Sequence, residues 1–289
     1  MKTVNSLSGG KTSSYLAANY PADVDIFALV CNDDNRCRIK DDGIMKIVND
    51  KLEKYTPYYG EVIGIAENPD SVLAVIELEQ YIGREIVWVR DVSYDEIVRQ
   101  RMAIPNRQKR FCTTILKIRP IFHYCRYMMS QEIVSMRTGI RYDEAERAER
   151  LTTTWDNASF ANFYPASAIK GDRWENQWTK DVEWRVNENV LVDDKIITYN
   201  INEYWDGKGI AFPKDSNCPY CFWKPHPQLR QNWDDYPGQM QWAADMEAVM
   251  GYTFKDDMTM EEIKKLNKQL FLDFGFGTGS GCQAGFCTD

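Results

Sequence analysis

Nowhere in its 289 residues does the chain approach eighteen consecutive apolar residues, so no membrane-spanning helix is expected. The cationic head and apolar core of a secretory leader are also missing, and Thr3–Leu7 reads instead as a short buried strand. These two absences predict a cytoplasmic protein with no membrane partner. A surplus of positive charge is lacking as well: 35 Lys and Arg face 43 Asp and Glu, for a net charge of −8. That balance excludes a surface coated for sequence-blind DNA binding but leaves room for a local basic cleft. Histidine is scarce, at two residues. His123 sits on an apolar helix among Phe122, Tyr124 and Tyr127, and His226 lies between Pro225 and Pro227. They read as a packed side chain and part of a stiff loop rather than as a base or a ligand. No internal repeat and no low-complexity linker occurs, and a hydrophobic fraction of 44% leaves little room for disorder.

What is present is an alternation of short apolar runs with helical spacing. Asp25–Val30, Tyr59–Ile65, Ile86–Arg90 and Glu132–Met136 read as further strands. Thr12–Asn19, Gly43–Lys54, Ser71–Ile82 and Thr114–Met129 read as helices, the last with a possible kink at Pro120. Such alternation predicts βαβ units: an α/β fold with a Rossmann-like parallel sheet covered by helices on both faces. After residue 150 the texture changes. Thr152–Asn157 is loop-like, Trp174, Trp178, Trp184 and Trp205 fall in short irregular segments, and Thr259–Phe271 reads as an amphipathic helix that Asp256 or Thr259 could cap. The simplest partition is a nucleotide-binding α/β domain over 1–165 and a cysteine-bearing C-terminal lobe over 166–289.

Gly10-Lys11-Thr12 looks like the end of a Walker A loop, yet the place of that loop's first glycine is taken by Asn5. A strand ending in Ser8-Gly9-Gly10-Lys11 and running straight into a helix still aims several amides one way, at the positive end of the helix dipole. Glycines at 9 and 10 let oxygens approach the backbone, while Ser8, Thr12 and Ser13 add hydroxyls and Lys11 a charge. The plainer reading is a tight βα turn. In a chain this acidic, the stretch from Arg99 to Arg119 holds seven basic residues and no acidic one. It reads either as a polyanion cleft or as a solvated charged face.

The segment Ser-Gly-Gly-Lys-Thr-Ser, Ser8 to Ser13, resembles the Ser-Gly-Gly-Lys-Asp-Ser signature of PP-loop ATP pyrophosphatases, with Thr12 in place of the aspartate. Arg110 to Ile121 resembles the cysteine, lysine and proline segment of phosphoadenylyl-sulfate (PAPS) reductases and their relatives. Arg137 to Arg150 resembles the Gly-Ile-Arg-x-x-Glu-x-x-x-Arg stretch of the same group, picking out Gly139, Arg141, Glu144 and, one place short of that spacing, Arg147. Without the resemblance, 143–150 reads as an exposed, salt-bridged helix. The resemblance implies an adenine nucleotide alpha hydrolase-like fold, with ATP and Mg2+ held by Ser8–Ser13, Asn32, Arg110, Lys117, Gly139, Arg141, Glu144 and Arg147. It implies catalytic roles for Lys11 and Arg141. The missing aspartate removes one carboxylate for magnesium.

Of eight cysteines, Cys218 and Cys221 form one close pair and Cys282 and Cys287 another, in a glycine-rich tail. Four thiolates suit a [4Fe–4S] cluster or tetrahedral Zn2+, and spacing does not separate them. The resemblance favours iron–sulfur, as in sulfonucleotide reductases and DNA-phosphorothioation sulfurtransferases. The tail lacks the catalytic Glu-Cys-Gly-(Ile/Leu)-His segment of assimilatory reductases. If both tail cysteines are ligands, Cys112 is the best placed thiol for sulfur chemistry, against its reading as a small buried apolar residue. The sequence thus predicts an ATP-dependent adenylyl and sulfur transferase acting on an acceptor, with nucleic acid a candidate and a cysteine desulfurase a candidate sulfur donor. The alternatives are a sulfonucleotide reductase and a non-catalytic nucleotide-binding subunit with structural zinc.

Overall fold

The computed structural model describes residues 1–131, 133–144, 146–147, 149, 169–170, 173–174, 184–214 and 218–267. The glycine-rich tail with Cys282 and Cys287, the stretch Thr152–Asn157, Trp178 and the end of the proposed C-terminal helix lie outside the described residues. In chain order the strands are β1 (Lys2–Leu7), β2 (Val24–Ala28), β3 (Cys31–Asn32), β4 (Gly64–Ile65), β5 (Ile86–Val89), β6 (Val134–Thr138), β7 (Ile169–Lys170), β8 (Arg173–Trp174) and β9 (Arg185–Glu188). Five of them make one sheet in the order β5-β2-β1-β6-β9, every pair parallel. β3 with β4, and β7 with β8, form small antiparallel pairs. The fold is α/β, with helices on both faces of the parallel sheet.

The apolar runs form strands because both of their faces are buried. Val4, Ile26, Ala28, Val87 and Val89 pack with Ile118, Ile121 and Phe122 of the helical run 111–128, and with Trp184. The alternate residues Leu7, Phe27, Ile86 and Trp88 pack on the other face against α1 (Lys11–Asn19), α2 (Asp42–Tyr55) and α3 (Pro69–Ile82). Asp41 caps α2 through the Ile44 amide at 3.0 Å, and Asn68 caps α3 through the Asp70 amide at 2.9 Å. Between Tyr59 and Ile65 only β4 is strand, because Pro57–Tyr59 forms a tight helical turn. The run 111–128 keeps its course through Pro120 by widening. Thr114–Ile118 is a π turn, which absorbs the hydrogen bond that proline cannot donate, and Tyr124–Met128 is a second.

The helices His226–Asp235, Pro237–Met250 and Met260–Lys264 build a third core, with Thr259 and Glu262 forming a capping box on the last. Leu229, Trp233, Met240, Trp242 and Met260 meet Val30 and Val92, which lie just past β2 and β5, and Ile97 and Val98 of α4 (Tyr94–Arg101). These helices therefore cover the carboxyl ends of one half of the sheet. Among the described residues no helix is long and apolar enough to cross a membrane.

Candidate nucleotide site and thiol group

The chain steps from β1 outward to β2 and β5 on one side, then returns to place β6 and β9 on the other. The strand order reverses between β1 and β6, and in open α/β sheets a crevice opens beyond the carboxyl ends at such a point. Ser8–Gly10 leaves β1 there, and Gly139–Arg141 leaves β6.

Asn5 is not a loop residue. Inside β1 its amide nitrogen donates to the Tyr20 carbonyl and to Asp25, both at 2.9 Å, and Asp25 is buried against Arg84 at 2.7 Å. Only three residues separate β1 from α1, so the turn is far shorter than a Walker loop. Gly9 has φ +73°, and a Cβ on it would stand 2.6 Å from the Ser71 carbonyl oxygen. Ser13 Oγ accepts from the Ser8 amide and donates to the Gly10 carbonyl, each at 3.1 Å, which ties the turn to the helix start. Gly10 stands at the head of α1, and no side chain among the described residues caps it, so the first amides keep their donors there.

Gly139 seats directly on those amides: a Cβ there would lie 3.0 Å from Ser13 N and 3.2 Å from Thr12 Cγ2. Two residues on, Arg141 donates from Nη1 to Thr12 Oγ1 at 3.3 Å. Its Nε donates to Asp143 at 2.8 Å, and Glu144 sits between it and Arg147 with ion-pair distances of 3.3 and 3.2 Å. The structure thus gathers Ser8, Gly9, Gly10, Thr12, Ser13, Gly139, Arg141, Glu144 and Arg147 at one mouth. Burial pulls the Arg147 guanidinium below its ordinary range despite Glu144 beside it.

Lys11 is exposed, and its Nζ donates to Asn202 Oδ1 at 3.0 Å. Asn202 belongs to the helix Thr198–Trp205, which leans on the turn, and Trp205 Nε1 donates to the Lys11 carbonyl at 3.0 Å. Thr198 of the same helix donates from its hydroxyl to Asp143 at 2.6 Å. Nothing in the sequence marked Asn202, Trp205, Thr198 or Asp143 as site residues, and Trp205, expected in an irregular segment, ends a helix instead.

Asn32 and Lys117 stand further in. Asn32 is fully buried, accepts from the Asp34 amide at 2.9 Å and faces the Tyr220 hydroxyl. Lys117 is buried against Glu67 at 2.5 Å. Burial opposes its charge, but Glu67 and the sulfurs of Cys218 and Cys221 outweigh that and raise its pKa. Glu67, two residues before α3, stands in no motif, and only its burial beside Lys117 marks it. Arg119, the last residue of the basic stretch, is likewise buried, paired with Asp91.

Cys218 and Cys221 lie on one tight turn, the Cys221 amide donating to the Cys218 carbonyl at 3.0 Å. Cys112 is their electrostatic neighbour; Cys112 and Cys218 pack against the core that holds Tyr94, and all three sulfurs are within electrostatic reach of that tyrosine. Burial pushes each thiol up, Cys221 to about 11 and Cys218 well above its ordinary value, so all three are protonated when unligated. Among the described residues no three His, Cys, Asp or Glu side chains stand close enough to enclose a metal. Cys218 and Cys221, two thiols on one turn, lie within electrostatic reach of each other and of the buried Lys117 ammonium. Cys112 joins this group, an association the spacing of the cysteines could not reveal. His226 lies apart, its Nε2 3.1 Å from Asp257.

No family model, no curated protein and no solved structure matches this chain.

Proposed function

We propose that the chain is a PAPS-reductase-like PP-loop enzyme of the adenine nucleotide alpha hydrolase-like fold, acting in the cytoplasm. It binds ATP with Mg2+, adenylates an acceptor and supports sulfur transfer. The observation that carries this reading is the seat of Gly139 on the bare amides of α1, with Arg141 within hydrogen-bond range of Thr12.

In this reading the triphosphate lies on the amides of Gly9 to Ser13. An acceptor oxygen attacks the α-phosphorus, the α–β anhydride bond breaks, and pyrophosphate departs with its charge balanced by Lys11, Arg141 and Mg2+. A sulfur nucleophile, such as the persulfide that a cysteine desulfurase provides, then forms the new bond to the acceptor as AMP leaves. Lys11 exchanges Asn202 for phosphate, and Arg141 shares its charge between phosphate and Asp143. Thr12 offers a hydroxyl where the related signature has a carboxylate, so Mg2+ is held mainly by the phosphates. Cys218 and Cys221, with Cys282 and Cys287, would hold a [4Fe–4S] cluster, or Zn2+, and leave the Cys112 thiol for sulfur chemistry. The cluster would supply sulfur or redox chemistry beside the acceptor.

The test is product analysis. Incubation with ATP labelled in the γ-phosphate releases labelled pyrophosphate, and the Lys11→Ala and Arg141→Ala variants lose it. Orthophosphate as the sole labelled product would overturn the assignment.

A further inference from the structure

A cavity of about 280 Å³ opens against the third core, lined by Arg107, Phe222, Phe254, Lys255, Asp256 and Asp257. Sites for drug-sized ligands span roughly 300–1,000 Å³, so this one suits a single small metabolite. Its lining carries charge of both signs around two buried phenyl rings. Lys255 lies within electrostatic reach of Arg107, Asp256 and Asp257. Yet among the described residues no ion pair joins either cation to either carboxylate, and Asp257 pairs with His226 instead. Phe222 follows Cys221, whose sulfur is within electrostatic reach of Lys255, so the cavity adjoins the thiol turn.

The lining is held in place from behind. Lys255 is buried and donates from Nζ to the Phe222 and Lys224 carbonyls at 3.0 and 3.1 Å, which leaves one of its three donors. Glu247 accepts from the Phe254 amide at 2.9 Å and from the Met260 amide at 2.6 Å, pinning both ends of the loop that carries Lys255, Asp256 and Asp257. Arg107 stands 5.3 Å from the centre of the Trp223 ring, a contact that steadies the guanidinium and keeps its donor edge open. A ligand with one sign of charge would be drawn to one pair of these groups and repelled by the other. A zwitterion answers both.

We propose that this cavity is the site of a free α-amino acid with a short apolar or thioether side chain. The α-carboxylate lies between Arg107 and Lys255. The ammonium meets Asp256, since Asp257 is already engaged by His226 Nε2 at 3.1 Å. The side chain rests on Phe222 and Phe254, rings that suit a thioether. The site is distinct from the nucleotide mouth and rests on nothing in the adenylation reading.

The experiment is titration calorimetry of L-methionine into the full chain without ATP, with L-leucine as a second probe. Wild type binds both saturably. Methylthiobutanoate, which lacks the ammonium, and methylthiopropylamine, which lacks the carboxylate, each bind at least about tenfold more weakly than L-methionine. Arg107→Gln and Asp256→Asn change exposed side chains, and circular dichroism checks that both variants keep the wild-type fold. Arg107→Gln weakens L-methionine roughly tenfold and spares the amine, whereas Asp256→Asn weakens L-methionine and spares the butanoate. Absence of saturable binding by both amino acids would overturn the proposal. So would a singly charged analogue that binds as tightly as L-methionine, or folded variants that bind L-methionine as wild type does. Pyrophosphate release from ATP alongside any of those results would leave the adenylation reading standing.

Discussion

Gly139 and Ser13 belong to different strand–helix units, yet a Cβ on the first would stand 3.0 Å from the amide nitrogen of the second. The contact joins the exit of β6 to the start of α1 across the point where strand order reverses. It explains why glycine occupies position 139: any larger residue would cover the amides that α1 leaves uncapped.

Gly9 is held for a different reason. Its φ of +73° is costly for other residues, and its Cβ position is filled by Ser71. Gly9→Ala is expected to lower stability by about 1–3 kcal/mol. Urea denaturation should show the midpoint falling with an unchanged slope.

Asn202 competes for Lys11. Removing it with Asn202→Ala frees the ammonium for phosphate at the loss of one exposed hydrogen bond, about 0.5–1 kcal/mol. MgATP should then bind roughly two- to fivefold more tightly, as measured by titration calorimetry. Weaker binding would mean that Asn202 positions Lys11 for the nucleotide rather than holding it back.

The paired charges of Lys117 and Glu67 are buried at 2.5 Å. Lys117→Met alone leaves a buried carboxylate without its counter-charge and should cost about 3–5 kcal/mol, whereas adding Glu67→Gln should restore most of the loss. Thermal melts of the two variants check this.

His123 gives the fold a pH dependence with a definite sign. Burial pushes its pKa down to about 4, while Asp91 pulls weakly the other way. The unfolded chain binds the proton at about 6.5, so the folded state binds fewer protons between these values. The stability due to the neutral imidazole is complete above about pH 6.5 and is lost as pH falls toward 4. Its ceiling is about 3 kcal/mol. The denaturation midpoint should drop over that window in wild type and drop less in His123→Phe.

The strands and helices of the sheet were legible because buried parallel strands and their covering helices differ in period and composition. Val24–Ala28 and Ile86–Val89 fell within a residue or two of their expected places. The tight turn between β1 and α1 was legible from its glycines, Gly9 taking a φ of +73°. The basic stretch was not. Charge in a sequence says nothing of pairing, and only the fold reveals that Lys117 and Arg119 face inward while Arg107 and Lys109 face out. Cys112 lies over a hundred residues before Cys218, and its place beside that turn depends on the helices packed against the carboxyl ends of the sheet. The helix Thr198–Trp205 carries no motif, and its hold on Lys11 and Asp143 is purely tertiary.

The central claim is that a nucleotide rests where β1 and β6 part. Titration calorimetry of MgATP into wild type and into Gly139→Val, with near-ultraviolet circular dichroism as the check on folding, tests it most directly. The account predicts saturable binding by wild type and at least a tenfold loss, about 1.4 kcal/mol, in a variant that keeps its wild-type spectrum. Equal affinity in the two proteins would contradict it.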